Sequence, residues 1–424
     1  MKRIAGLALV FATCIWVSAA SATTEADKLG WFKEAKFGMF IHWGPYSQLG
    51  VEASWPLVQR QVPVEKYEAQ AKTFNPEKFD ATRIARLAKE AGMKYVVFTS
   101  KHHDGYAMYD TKLSDYSVMN SPIKRDLAKE LAEAVRAEGL RFGFYYSLCD
   151  WYHPDYRDRS NGFPPKYPGR WPTTPTWQKF VDFYQGQVKE LLTRYGPISI
   201  MWFDGAWEHN AQEWQTEKTV RMIHSLQPRC VINDRCGDRN LGDYGTPEQR
   251  VPKKGLDRPW ETCMTINEQW AYKPDAKKWK SPKELVRTLV DIAGKGGNFL
   301  LNIGPMPTGE VQPEYVERLQ ALGQWMKKNG ESIYGTEAGP TELNPYGPVT
   351  RKGNVLYFHI FDLQGERVAI KGIRPVSVTL LSTGRRPVVL SEGGSIQFRL
   401  AKEEQDPYDT VVRITTDEKV GSGK

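Results

Sequence analysis

The sequence predicts an α/β chain built as a (β/α)8-like barrel followed by a C-terminal antiparallel β-sandwich. Three observations carry this. From residue 37 to about 305, short β-rich runs alternate with amphipathic helical segments, the pattern of parallel strands joined by crossover helices. No GxGxxG or GxxxxGKS/T string occurs, so the competing doubly wound sheet lacks the glycine-rich first turn that would hold its cofactor. After a helical segment over 313–329 the helical period stops, and short alternating runs recur about every ten residues with turn residues between them.

The elements follow in order. Lys2 and Arg3, an apolar stretch from Ile4 to Val17 and the small residues Ala20-Ser21-Ala22 read as an export signal over 1–22. That stretch is short of the ~20 apolar residues of a bilayer span, so no membrane anchor is expected. The mature chain would work in a periplasmic, extracellular or lysosome-like compartment. Residues 23–340 would form the barrel, with strands at 37–42, 94–99, 141–147, 198–203, 230–234, 259–265 and 298–303, and a degenerate eighth position near 331–335. Asp80 should cap a helix with Ile84, Leu87, Ala88 and Ala91 on one face. Leu127, Leu131, Ala134 and Val135 mark a second helical face that ends at Gly139. Ser281, Pro282 and Glu284 spell a capping box with proline in the first turn. A Pro/Gly-rich linker over 337–348 leads to the sandwich, assigned to 341–424.

Composition narrows the function. A chain that is 40% hydrophobic and 25% charged folds, and wholesale disorder is excluded. Losing Lys2 and Arg3 with the leader, and no acid, takes the net charge from +8 to +6. Those charges are scattered and no nucleic-acid motif accompanies them, so they read as a solvated surface. The 14 Trp and 20 Tyr suit sugar rings, because they offer flat apolar faces with polar edges. Cys149, Cys230, Cys236 and Cys263 lie in or beside expected strands, without a CxxC, and either free thiols or bridges fit them.

The chemistry gathers where strands end. FGMFIHWGPYS (37–47) and FTSKHHDGYAMY (98–109) each close an apolar run and enter a Gly/aromatic turn, and IMWFDGAW (200–207) repeats the arrangement around Asp204. Barrels place their chemistry at such junctions. A carboxylate there could attack an anomeric carbon, or it could be a turn residue before Gly205. His42, His102 and His103 suit hydrogen bonds to substrate hydroxyls; metal ligation is the alternative, without an HExxH or HxH to support it. Asp104, beside His103, reads as its orienter. Arg235, at the end of CVINDR, fits a salt bridge or a sugar contact. Glu261 stands behind Trp260 on another strand end, where an apolar wall would raise its pKa toward that of a general acid. Glu52, beside Trp55 on the first loop, is the rival, as a hydroxyl binder or as the acid.

In order and rough spacing, FGMFIHWG, SKHHDGYAMY, the WFDG string, VINDR, WETCMT and NFLLNIGP resemble the retaining α-L-fucosidases of glycoside hydrolase family 29, over about 30–335. That family also carries the following sandwich. The resemblance implies that Asp204 is the nucleophile and that His42, His102, His103, Trp202 and Arg235 line the fucose pocket, with Glu52 and Tyr146 as contacts. It implies no metal or cofactor. It leaves the acid/base unplaced, so Glu261 holds that role on its own residue-level argument, and Trp55 joins the expected sugar-binding set. Terminal fucosylated glycans are the expected substrates, and Phe40, Trp202 or Phe299 could face the methyl group of fucose. A non-catalytic glycan-binding protein and a His-based metal-dependent hydrolase remain the alternatives.

Overall fold

Seven runs of β-branched and aromatic residues become one curled parallel sheet in the computed structural model, which describes residues 25–161, 163, 169–392 and 394–417. The expected export signal over 1–22 lies outside the described residues. The strands are β1 (Phe37–Ile41), β2 (Tyr95–Lys101), β3 (Arg141–Ser147), β4 (Ile200–Asp204), β5 (Val231–Ile232), β6 (Glu261–Thr265) and β7 (Asn298–Ile303). Their order in the sheet is β5-β4-β3-β2-β1-β7-β6.

Strand alternation divides the core in two. Phe40, Tyr95, Val97, Tyr145, Ile200, Trp202, Val231, Cys263 and Leu300 meet on the concave face. Phe37, Met39, Ile41, Phe98, Phe144, Tyr146, Met201, Phe203 and Phe299 belong to the larger core shared with the helices. Both faces are apolar, so each strand reads as a continuous hydrophobic run, as parallel strands do. Gly38 is required in β1: a Cβ there would fall 2.3 Å from the ring of Tyr95.

The eighth position is not near 331–335, where Gly330–Ser332 instead form a 3-10 turn after the helix Pro313–Asn329. The gap between edge strands β5 and β6 is filled by residues 244–248. Parallel bridges pair Asn233 with Tyr244 on one side, and Gly245 with Trp260 and Glu248 with Cys263 on the other. This stretch, YGTPE, contains a glycine and a proline and has no apolar run, so strand periodicity cannot reveal it.

The expected caps form. Asp80 accepts the Arg83 N–H at 3.0 Å and starts the helix Ala81–Glu90. Ser281 and Glu284 form the reciprocal capping box of the helix Pro282–Gly294. No helix among the described residues is long and apolar enough to cross a membrane. The four cysteines named above are buried free thiols.

The C-terminal part is two antiparallel sheets. One contains β8 (Glu337–Ala338), β9 (Val349–Lys352), β10 (Val355–Ile360), β12 (Pro375–Leu380) and β15 (Thr410–Thr416); the other contains β11 (Arg367–Lys371), β13 (Leu390–Glu392) and β14 (Ser395–Arg399). Leu356, Phe358, Val368, Ile370, Ile396, Phe398, Val412 and Ile414 are among the side chains packed in their core. The pairing of β8 with β9 brings in a strand from before residue 341. Trp325, on a barrel helix, donates its indole N–H to the Asp409 carbonyl at 3.0 Å, and Arg287 pairs with Asp362 at 2.5 Å. The sandwich thus braces the barrel from its helical side.

Candidate active site

The C-terminal ends of the strands surround a cavity of about 460 Å³. Asp204, the last residue of β4, opens into it with 13% of its side chain exposed. Its two oxygens are separately engaged. The Tyr145 hydroxyl donates to Oδ2 at 3.1 Å, and Arg235 Nη1 donates to Oδ1 at 3.3 Å. The strand end is fixed because β5 is only two residues long and Asn233 extends its work: its side-chain amide accepts the Phe203 N–H and donates to the Phe203 carbonyl, both at 2.8 Å.

Arg235 is held at three points. Its Nε–H donates to Thr246 Oγ1 at 2.9 Å, Nη2 donates to the Thr246 carbonyl at 3.1 Å, and its guanidinium lies 4.8 Å over the ring of Trp202. Nη2 also pairs with Glu248 Oε2 at 2.9 Å. Glu248 stands on the closing segment, lines the cavity and has 42% of its side chain exposed. No strand or motif in the sequence points to it.

The three histidines converge as expected. Each Nδ1 is taken by a neutral neighbour: Asn302 for His42 at 2.7 Å, Ser54 for His102 at 2.6 Å and Ser147 for His103 at 2.6 Å. Burial holds His42 and His103 down to about 4 and His102 well below the usual histidine value. At neutral pH all three rings are therefore neutral hydrogen-bonding groups. His103 Nε2 is buried without a hydrogen-bond partner and lies 4.0 Å from Asp204 Oδ2. Asp104 does not orient His103; it is buried and accepts the Tyr67 hydroxyl at 2.9 Å. Among the described residues, no group of three or more His, Cys, Asp or Glu side chains is arranged to hold a metal ion.

Aromatic rings supply the walls. Trp202 and Phe40 form an apolar floor, with ring centroids 5.0 Å apart. Trp55 and Trp207 lie nearly parallel, 13° apart, with Trp207 38% exposed at the mouth. Trp270 joins them; Asn302, which binds His42, also donates to the Trp270 carbonyl at 2.7 Å. Phe299 is outside the cavity, stacked on Phe37 on the helical side of the sheet.

Two expected site residues are corrected. Glu261 is the first residue of β6 and pairs with Asn298, the first of β7, so it belongs to the end of the barrel opposite the mouth. It is 0% exposed, and its carboxyl accepts the Tyr95 hydroxyl at 2.5 Å and the Trp202 indole N–H at 3.0 Å. Burial raises its pKa to about 7, as expected of a general acid, but the group lies beneath the floor and reaches no leaving group. Tyr146 points the other way from the pocket. Its hydroxyl donates to Gln187 at 2.8 Å, while Tyr145 pairs in register with Trp202 and faces inward. The two neighbours on β3 exchange roles because successive strand residues face opposite sides. Glu52 is near the pocket without lining it: both carboxylate oxygens accept the Trp270 N–H, at 3.0 and 3.2 Å, and burial raises its pKa to about 7.

Comparison with known proteins identifies the family. The family model described as Alpha-L-fucosidase matches residues 16–331. The plasma alpha-L-fucosidase of Homo sapiens is 34% identical over 346 residues, 75% of this chain and 72% of that protein. The alpha-L-fucosidase of Dictyostelium discoideum is 30% identical over 440 residues, 91% and 92% of the respective chains. Among solved structures, alpha-L-fucosidase isoenzyme 1 from Paenibacillus thiaminolyticus superposes with a TM-score of 0.86 at 36% identity, covering 93% of this chain and all of that one. A family 29 alpha-L-fucosidase from Bacteroides thetaiotaomicron, trapped as a covalent intermediate with 2-fluoro-fucosyl fluoride, gives 0.82 at 31% identity, covering 92% and 95%. With the family model, the curated relatives and the fold in agreement, this chain belongs to the α-L-fucosidases, the glycoside hydrolases of family 29.

Proposed function

We propose that the enzyme hydrolyses terminal α-L-fucosides of glycans with retention, Asp204 acting as nucleophile and Glu248 as acid/base. In the first step an Asp204 oxygen forms a bond to the anomeric carbon while the bond to the leaving oxygen breaks, and Glu248 delivers its proton to that oxygen. In the second, Glu248 takes a proton from water, the water oxygen bonds to the anomeric carbon, and Asp204 departs. Tyr145 and Arg235 donate to the departing carboxylate as its charge returns. His42, His102 and His103 would bind the sugar hydroxyls, and Phe40 and Trp202 would face the methyl group.

The observation that carries this reading is one guanidinium shared by two carboxylates, Asp204 on Nη1 and Glu248 on Nη2. Such a pairing fits the ~5–5.5 Å spacing of retaining enzymes better than the ~6.5–9.5 Å that inverting enzymes keep for a water molecule. Further support comes from the covalent intermediate of the Bacteroides relative. We also read the enzyme as exported, on the leader pattern of residues 1–22.

The test is Asp204→Gly with azide. Turnover should fall by several powers of ten, each tenfold being ~1.4 kcal/mol of barrier. Azide should then restore part of the rate on an activated aryl fucoside and yield β-fucosyl azide. Near-normal turnover in the variant without azide would remove Asp204 from the role.

A further inference from the structure

We propose that Glu208, which no sequence motif singles out, is a positioning residue for the hydrolytic reaction, anchoring the turn that carries Asp204 at one end and Trp207 at the pocket mouth. The inference rests on Asp204 being the nucleophile.

The turn begins where β4 stops. Gly205 takes φ 76°, and Ala206–Glu208 form a single 3-10 turn. This turn lies directly against the loop that follows β3. A Cβ on Gly205 would fall 2.9 Å from the Cys149 nitrogen and 2.9 Å from Ser147 Oγ, so only glycine permits the approach. Three successive ties join the two segments. The Leu148 N–H donates to the Asp204 carbonyl at 2.7 Å, and the Cys149 thiol donates to the Gly205 carbonyl at 2.9 Å. The last tie is Glu208 itself, whose Oε1 accepts the Trp151 indole N–H at 3.3 Å and whose Oε2 accepts the Tyr156 hydroxyl.

Glu208 is fully buried and touches no part of the cavity. A buried carboxyl is tolerated only where donors replace its water, and here two aromatic side chains do so. Trp151 adds a second route to the chemistry. Its ring packs 5.1 Å from that of His103, whose Nε2 faces Asp204, so the anchor backs the nucleophile and its neighbour together. Removing the carboxyl would orphan both donors and free the far end of the turn. A reacting atom displaced by ~1 Å costs on the order of 10²-fold in rate.

Glutamine can keep both contacts: its oxygen accepts from Trp151, and its amide donates to the Tyr156 oxygen. Alanine keeps neither. The probe is 2-fluoro-fucosyl fluoride, with the inactivation rate constant and the inhibitor's dissociation constant measured per titrated active site and the labelled residue mapped. Glu208→Ala should slow labelling by about 10²-fold with a much smaller change in the dissociation constant, and Glu208→Gln should restore the wild-type rate. If Glu208→Ala fails to fold, Tyr156→Phe removes one of the two donors and should slow labelling in the same sense. A labelling rate per site equal to wild type, with only the thermal midpoint lowered, makes Glu208 a stability brace and overturns the proposal alone. A label mapped in the wild type to a residue other than Asp204 overturns the mechanism on which it rests.

Discussion

Tyr145 donates its hydroxyl to Asp204 Oδ2 at 3.1 Å, while the next residue along β3 turns its hydroxyl to Gln187 outside the barrel. Tyr145→Phe should therefore lower kcat about 10- to 100-fold, the worth of a hydrogen bond to a charged group, with a smaller change in KM. Tyr146→Phe should leave turnover unchanged and cost about 1 kcal/mol of stability through the Gln187 contact. Steady-state kinetics and a denaturant titration of the two variants separate the cases. Equal kinetic losses would place both hydroxyls at the reaction.

The pair also shows where sequence reading stops. All seven barrel strands, the capped helices and the change to antiparallel sheets were legible, because periodicity and caps are local properties. Asp204, the three histidines and Arg235 were legible as candidates because each stands at, or within three residues of, the end of a strand. Tyr145 was not: RFGFYYS is aromatic on both faces, so alternation in the sequence does not reveal which tyrosine points inward. Glu248 was hidden for a different reason. It stands on a segment held by isolated bridges between β5 and β6, in a Gly/Pro stretch without a period. Glu261 misled because burial and a raised pKa describe a floor residue as well as a general acid; only register places it at the wrong end of the barrel.

Glu248→Ala should carry the signature of a lost acid/base. Fucosides with poor leaving groups should lose roughly 10²–10⁴-fold, and an activated aryl fucoside far less, because its departure needs little protonation. Azide should then give α-fucosyl azide. Glu52 is the comparison, since its carboxyl is committed to the Trp270 backbone. Leaving-group dependence in Glu52→Ala, and not in Glu248→Ala, would reverse the assignment.

His103 Nε2 is buried, has no hydrogen-bond partner and lies 4.0 Å from Asp204 Oδ2, so in the proposed reaction it is free to bind a substrate hydroxyl. His103→Ala should reduce kcat/KM by about 10²-fold, or ~2.7 kcal/mol of transition-state stabilisation. Thorough EDTA treatment of the wild type should leave kcat/KM unchanged. Activity lost to the chelator and recovered with Zn²⁺ would instead make the histidines ligands.

Glu261 has a consequence for stability rather than catalysis. Burial raises its carboxyl from 4.5 to about 7 in the folded chain. Between those values the folded protein holds a proton that the unfolded chain has released. Its contribution is therefore whole below pH 4.5 and is lost as pH rises through about 7, to a limit of about 3 kcal/mol. Glu52 and Glu208, also raised to about 7 by burial, act in the same direction. His42 and His103, lowered to about 4, act in the opposite one: their contribution is whole above 6.5 and is lost as pH falls toward 4. The thermal midpoint should thus peak in mildly acidic solution and decline on both sides. In Glu261→Gln the amide can donate to Tyr95 and its oxygen can accept from Trp202, so both contacts survive while the ionisation disappears. The decline between about pH 5 and pH 8 should become shallower in that variant, read as Tm by calorimetry, and the leaving-group dependence should match wild type. An unchanged alkaline slope would show that Glu261 is already ionised in the folded enzyme at pH 5, with Arg235 as its counter-charge, and the carboxylate band in isotope-edited infrared spectroscopy would reveal it.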